Sequence, residues 1–330
     1  MFYVLTGGSG SGKSEYAESL IQRLSQEDPK GKLYYFATMV PFGEETQEKI
    51  KRHKRVRAGK GFSTIECYTG LKEAAESLKK EQKEKPCVLL ECMSNLAANE
   101  LYMEEGAKQY AVREILEGIE ILKKWCRHLV VVTNEIFSEA EQYTKEMQTY
   151  KKVLGEINCH MTRKADHAAE IVYGIPVCIK GTLPEREEQR KETEQMKLII
   201  GGAFQGKRAA AEELYPDLAW CDGRTCSRDD MYTCQGIFHF ETYIRRLLKE
   251  DPALDPEIFT DSIVKRNPTL VVVSGEIGCG LVPVDGFDRL YREKTGRICT
   301  CIAKRAASVI RVVCGQKIVL KQEKGAEKCR

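Results

Sequence analysis

Residues Gly7-Gly8-Ser9-Gly10-Ser11-Gly12-Lys13-Ser14 satisfy G-x-x-x-x-G-K-[ST], the spacing of a phosphate-binding loop. They follow the apolar run Phe2-Tyr3-Val4-Leu5 and precede the helix-like Glu15-Tyr16-Ala17-Glu18-Ser19-Leu20, the strand–loop–helix context the motif requires. Glycines let the backbone curl until successive N–H groups face phosphate oxygens, and the following helix adds its positive N-terminal end. In such a loop Lys13 bridges the β- and γ-phosphates of a nucleotide and Ser14 ligates Mg2+. The pattern returns at Gly201-Gly202-Ala203-Phe204-Gln205-Gly206-Lys207-Arg208 with arginine in place of the hydroxyl residue. Arg208 removes a direct metal ligand but leaves a cation that can contact phosphate, so catalysis is expected at the first loop only.

Two further segments carry chemistry. Glu91 ends the apolar run Val88-Leu89-Leu90, which places it at a strand's C-terminal edge, where open α/β sheets bind ligands. There it can hold the water shell of Mg2+, making Ser14 and Glu91 the candidate metal residues. Glu48 to Arg57 (EKIKRHKRVR) crowds cations around His53. That composition fits a solvated basic helix face, a nucleophilic histidine kept neutral beside bound phosphates, or an RNA-contacting arm, and it does not choose among them. The fourteen cysteines lie singly in apolar segments with no Cys-x-x-Cys pair, so Cys221, Cys226 and Cys234 are read as structural, not as zinc ligands.

These residues must be positioned by alternating strands and helices. Strand-like runs occur at 2–6, 33–37, 87–91, 129–133, 171–173 and 176–179, with amphipathic stretches at 71–84 and 107–127 between them. The pattern predicts an α/β fold: a P-loop NTPase-like, mostly parallel sheet with flanking helices. Self-similarity predicts that it is present as a tandem repeat. Gly7, Gly12, Lys13 and Leu20 meet Gly201, Gly206, Lys207 and Leu214 at an offset of 194, and Gly155, Gly174 and Lys180 meet Gly296, Gly315 and Lys321 at an offset of 141. The second copy is therefore 53 residues shorter. Expected boundaries are a first domain at 1–181, a polar linker at 182–195, a shortened copy at 196–321 and a tail at 322–330. Within the copy the pattern gives strands at 197–200, 218–221 and 269–274, helices at 236–250 and 285–308, and a closing pair of short strands.

Length and composition fit this reading. A chain of 330 residues can build two ordinary cores, and 42% hydrophobic with 31% charged residues describes a globular protein. A net charge of +3 points by itself to neither nucleic acid nor membrane, and no apolar run approaches a bilayer span, so a cytoplasmic protein is expected.

Taken in order, the blocks Thr6 to Ser14 (T-G-G-x-x-S-G-K-S), Tyr35 to Thr38 (Y-x-A-T), Lys49 to Lys54, Thr64 to Glu66 (T-x-E), Leu89 to Cys92, Asn99, Val132 to Glu135 and Leu154 to Asn158 resemble the bifunctional adenosylcobinamide kinase/adenosylcobinamide-phosphate guanylyltransferases of cobalamin biosynthesis. The resemblance implies phosphorylation of the corrinoid side-chain hydroxyl at the P-loop. It also implies transfer of GMP from GTP through a guanylyl-histidine, and that role falls on His53, the histidine of the matching block. His128, His160, His167 and His239 carry no such implication and are read as surface or packing residues. It further implies Mg2+, GTP and ATP as cofactors, with Thr38, Glu66 and Glu91 joining the loop residues at the nucleotide. Its implied partner is a corrinoid small molecule, with no nucleic acid and no membrane insertion. The assembly implied is a homo-oligomer or an intramolecular pseudo-oligomer with sites between copies.

One departure divides the copies. After Glu135 the first reads Ile136-Phe137-Ser138-Glu139-Ala140-Glu141 where the family commonly has G-x-G-[IL]-V-P, whereas the second keeps Gly278-Cys279-Gly280-Leu281-Val282-Pro283 but lacks the His53 block and the Glu91 strand. Either the second copy lends that loop to the first copy's nucleotide site, or it is retained for packing.

Overall fold

The computed structural model describes residues 1–26, 31–82, 84–138, 144–184 and 195–322. Residues 185–194 of the expected linker and 323–330 of the expected tail lie outside them. The chain forms two compact units, one of Met1–Gly7, Lys13–Glu170 and Cys178–Leu183, the other of Gly8–Gly12, Ile171–Val177 and Pro184–Arg330.

The first sheet is built from β1 (Phe2–Thr6), β2 (Leu33–Ala37), β3 (Phe62–Glu66), β4 (Cys87–Glu91), β5 (His128–Val132), β6 (His167–Val172) and β7 (Ile175–Lys180), in the order β3-β2-β4-β5-β1-β6-β7. The strands from β3 to β6 run parallel. The middle strands β1, β4 and β5 are buried runs of Val, Leu, Phe and Tyr, as strands covered on both faces must be. Helices α1 (Lys13–Gln26), α2 (Gly43–Arg57), α3 (Leu71–Glu81), α4 (Met93–Tyr102), α5 (Ala111–Trp125) and α6 (Lys145–Lys164) connect them. In α5, Ala111, Ile115, Gly118, Ile119 and Leu122 fall on one buried stripe. Gly118 lets α3 approach closely, because a Cβ there would lie 2.8 Å from Leu71 Cγ.

The second unit places β8 (Lys197–Gly201), β9 (Trp220–Asp222), β10 (Gly236–Phe238), β11 (Val271–Gly275), β12 (Ser308–Val313) and β13 (Gln316–Lys321) in the order β13-β12-β8-β11-β10-β9. Only β13 runs antiparallel. Its helices are α7 (Lys207–Leu214), α8 (Phe240–Glu250), α9 (Pro256–Arg266) and α10 (Gly286–Arg305). Leu198, Ile200, Val272, Phe240, Ile244, Leu248, Ile298 and Ile302 share its main core.

Read from β9, this order repeats β2-β4-β5-β1-β6-β7 of the first sheet without a counterpart of β3, so the two sheets fit a tandem repeat; the Glu91 strand, expected to be missing from the second copy, has its counterpart in β10. Hydrogen bonds recur at the same two offsets. Glu135 N donates to Gly7 O and Glu276 N to Gly201 O, each at 3.0 Å. Asp166 N donates to Phe2 O at 2.9 Å and Ala307 N to Met196 O at 2.8 Å. Lys180 Nζ caps the carbonyls of Thr162 and Arg163, and Lys321 Nζ those of Ala303 and Lys304. Gly174 and Gly315 both turn their hairpins at positive φ, 83° and 77°.

Several boundaries differ from the pattern reading. The helix expected over 236–250 begins with strand β10 and becomes helical only at Phe240. Glycine at 236 leaves room for the Trp220 ring, which stacks on Phe238 at 4.2 Å and draws this stretch into the sheet. The strand expected at 218–221 forms over Trp220–Asp222 for the same reason. The helix expected over 285–308 ends at Arg305, and Ser308 already belongs to β12. The strands expected at 171–173 and 176–179 start earlier, at His167 and Ile175. Within 107–127, Lys108–Tyr110 forms a single 3-10 turn before α5.

Candidate active site

The first phosphate loop leaves β1 at Thr6 and enters α1 at Lys13, so Lys13 and Ser14 stand at the helix N-terminus. β4 lies two strands away, beyond β5, and ends at Glu91, level with Ala37 of β2 and Val132 of β5. The acid therefore reaches the sheet edge where the loop opens. Ser14 Oγ donates to Glu91 Oε1, and Tyr35 Oη donates to Glu91 Oε2 at 3.1 Å. Burial, then the charge of Glu91, pushes the Tyr35 phenol well above its ordinary range, so it stays a donor.

The other expected residues spread over neighbouring elements. Thr38 is fully buried, and its hydroxyl donates to Cys92 O at 2.8 Å and accepts from Cys92 N at 2.7 Å. It braces the turn after Glu91. Glu66, at the end of β3, accepts from Tyr68 Oη at 2.9 Å and lies 3.8 Å from Lys54 Nζ. His53 belongs to α2, and its side chain lies outside the described residues. The basic block around it is helical, and Arg57 at its end is buried. Beyond it, Lys60 Nζ meets the buried Glu18 of α1 at 2.7 Å.

The glycine arc Gly8–Gly12 groups with the second unit. Inside that unit Ser9 N donates to Gly278 O at 2.7 Å, Thr300 Oγ1 to Gly10 O at 2.9 Å, and Gly174 N to Ser11 O at 2.7 Å. Gly8 has no space for a side chain, since a Cβ would lie 2.7 Å from the carbonyl carbon of Gly278. Ser11 Oγ is buried without a partner among the described residues.

The second loop keeps the backbone scaffold and loses the acid–hydroxyl pair. Gly315 N donates to Gln205 O at 2.9 Å, as Gly174 N does to Ser11 O, and Lys207 Nζ folds onto Gly202 O at 3.2 Å. Register along β11 and β10 puts Phe238 where Glu91 stands in the first sheet. The Arg208 guanidinium lies 4.8 Å from the Phe238 ring centroid and pairs with Glu212. A cation over an aromatic face thus replaces the hydroxyl–carboxylate pair.

Sequence reasoning passed over Tyr35, Arg57, Glu18 and Lys60, whose meeting depends on strand order and on where α2 ends. His239, read as a surface or packing residue, holds positive φ (54°) at the start of α8 and meets Asp222 at 3.1 Å, while Arg224 holds that carboxyl well below the usual range. Of the remaining histidines, His128 is buried and His167 stacks on Tyr3 at 4.6 Å. Burial pushes the thiols of Cys67, Cys299 and Cys301 up to about 12, which makes them inert packing residues.

A parallel sheet, a glycine loop feeding a helix N-terminus, and an acid at a nearby strand end define a P-loop α/β enzyme. The family model for cobinamide kinase / cobinamide phosphate guanyltransferase matches residues 3–179 and 239–320, and the chain belongs to that family. The bifunctional adenosylcobalamin biosynthesis protein CobU of Salmonella typhimurium is 29% identical over 191 residues, covering 54% of this chain and all of that protein. The protein of the same description from Escherichia coli is 28% identical over the same length and coverage. Among solved structures, a RadB recombinase matches 56% of this chain and 83% of its own at 15% identity and a TM-score of 0.33. A KaiC-like protein from Pyrococcus horikoshii matches 58% and 83% at 11% identity and a TM-score of 0.34. No helix among the described residues is long and apolar enough to cross a membrane.

Proposed function

We propose that this chain phosphorylates adenosylcobinamide, with ATP or GTP as donor, and then transfers GMP from GTP to the product phosphate. The observation that carries the kinase half is the contact of Ser14 with Glu91 beside the intact loop. A hydroxyl and a carboxylate suit a hard divalent cation, and among the described residues no group of three or more His, Cys, Asp or Glu gathers to hold one. Ser14 and Glu91 would therefore hold Mg2+ together with nucleotide phosphates and water, and the ion would neutralise charge developing on the transferred group. Lys13 adds a fixed cation at the β- and γ-phosphates, and the loop amides orient them. The corrinoid hydroxyl oxygen then attacks the γ-phosphorus as the bond to the β,γ-bridging oxygen breaks, the nucleoside diphosphate leaves, and the hydroxyl proton passes to solvent.

In the transferase half, a His53 ring nitrogen attacks the α-phosphorus of GTP, a P–N bond forms and pyrophosphate leaves. An oxygen of the corrinoid phosphate next attacks that phosphorus and the P–N bond breaks, releasing the guanylylated product and free His53. The matched region 3–179 contains the His53 block and supports this assignment. The second unit is read as a shortened, non-catalytic copy: Arg208 and Phe238 stand where Ser14 and Glu91 would be needed, and Gly278 shapes the glycine arc through Ser9. The acceptor is a soluble corrinoid, with no role for nucleic acid or membrane insertion.

Lys13→Ala tests the kinase half. It is expected to lower corrinoid phosphorylation by about 10²–10³-fold, the usual cost of one fixed charge-stabilising donor. Full activity in that variant would overturn the P-loop assignment.

A further inference from the structure

The helix that carries His53 ends on the residue that packs against the kinase acid's partner. Arg57 lies one helical turn beyond His53, is 7% exposed, and sets its guanidinium carbon 3.4 Å from the Tyr35 ring centroid. Its Nη1 is buried with no hydrogen-bond partner among the described residues, and its guanidinium stacks on the tyrosine ring. Tyr35 also meets Phe62 of β3, edge-on at 6.1 Å. Its hydroxyl reaches Glu91 Oε2, two residues beyond its register partner Leu89. The other carboxylate oxygen, Oε1, faces Ser14. Lys60, three residues past Arg57, ties the same end of α2 to Glu18 on α1.

We propose that Tyr35 and Arg57 are positioning residues for Glu91, acting in series: Arg57 holds the Tyr35 ring, and the Tyr35 hydroxyl occupies one carboxylate oxygen so that the other stays aimed at Ser14 and the cation. This rests on the reading of Ser14 and Glu91 as the metal pair. It also makes the placement of the His53 helix a determinant of the kinase centre, because α2 supplies the arginine. Outer partners of this kind orient a ligand without touching the ion.

The test is Mn2+ binding, followed by electron paramagnetic resonance with a non-hydrolysable ATP analogue present, alongside steady-state phosphorylation. Tyr35→Phe keeps the ring and the stack, so its thermal midpoint should stay near that of the parent. Its Mn2+ affinity should fall about tenfold, and kcat should fall while KM for the nucleotide, held mainly by the loop, is unchanged. Arg57→Met should shift Mn2+ affinity in the same direction, Arg57→Lys should restore part of it, and the double variant should be no worse than the worse single one. Parental Mn2+ affinity and kcat in Tyr35→Phe would overturn the proposal. Ser14→Ala separates the two readings. If Ser14→Ala weakens Mn2+ binding and Tyr35→Phe does not, only the positioning role falls; if neither does, the metal pair itself is wrong.

Discussion

At positions 14 and 91 the first unit sets a hydroxyl against a carboxylate; at the corresponding positions 208 and 238 the second sets a guanidinium against a phenyl ring. Both members of the pair differ between the units, and in the second the guanidinium–ring contact joins α7 to β10. Arg208→Ser alone therefore cannot restore a metal site, because Phe238 still faces it. Corrinoid phosphorylation by Arg208→Ser should stay within about twofold of the parent rate, measured under the same nucleotide and metal concentrations; a large loss would show that the second loop takes part in the reaction. The substitution of the hydroxyl was legible in the sequence because the loop's spacing fixes where it must stand. Its partner was not, because pairing Phe238 with that position requires knowing that β10 lies beside β11. The role of Tyr35 in the Y-x-A-T block was not legible for the same reason: its reach to Glu91 is a diagonal between neighbouring strands.

Among the elements, α2 is where periodicity said least. Its mostly polar residues could be read as a solvated face, and the segment is indeed a helix, but what anchors it comes from its last turn and the residues just beyond. Glu18 is buried on α1, and burial raises its carboxyl above the ordinary range while Lys60 pulls it back. A carboxyl whose folded pKa is raised contributes stability that is fully present below its unfolded pKa and is lost as pH rises through the folded pKa. Removing Lys60 raises that pKa further and deepens the loss at neutral pH. Lys60→Met should cost about 2 kcal/mol at pH 7.5, less than the roughly 3–5 kcal/mol of a fully buried pair because Lys60 keeps partial exposure. The cost should shrink near pH 4.5 in urea titrations, and an equal cost at both pH values would contradict this account. The stretch 236–250 shows the converse limit of pattern reading. The amphipathic signal of α8 extended backward over Gly236-Ile237-Phe238, but parallel pairing with β9 and β11, with the Trp220 ring over the glycine, makes those residues a strand.

Over the whole molecule, the duplicated arrangement was readable because glycines and lysines at hairpin turns and helix ends cannot drift freely. Gly174 and Gly315 need positive φ, and Lys180 and Lys321 each close the last turn of a helix, so the two sequence offsets correspond to two sets of hydrogen bonds in space. The shorter second sheet follows from the same arithmetic: between β9 and β10 the second unit has only the 3-10 turn Asp230–Tyr232 where the first has α2, β3 and α3. The chain belongs to its family over 3–179 and 239–320, and the proposal built on that membership is that His53 carries GMP between GTP and the corrinoid phosphate. The direct measurement is incubation of the protein with GTP labelled on the α-phosphate, followed by denaturation and acid treatment. The account predicts a protein-bound, acid-labile label formed with release of pyrophosphate, discharged by the corrinoid phosphate and missing from His53→Asn. A label that persists in His53→Asn, or a parent protein that acquires none, would contradict it.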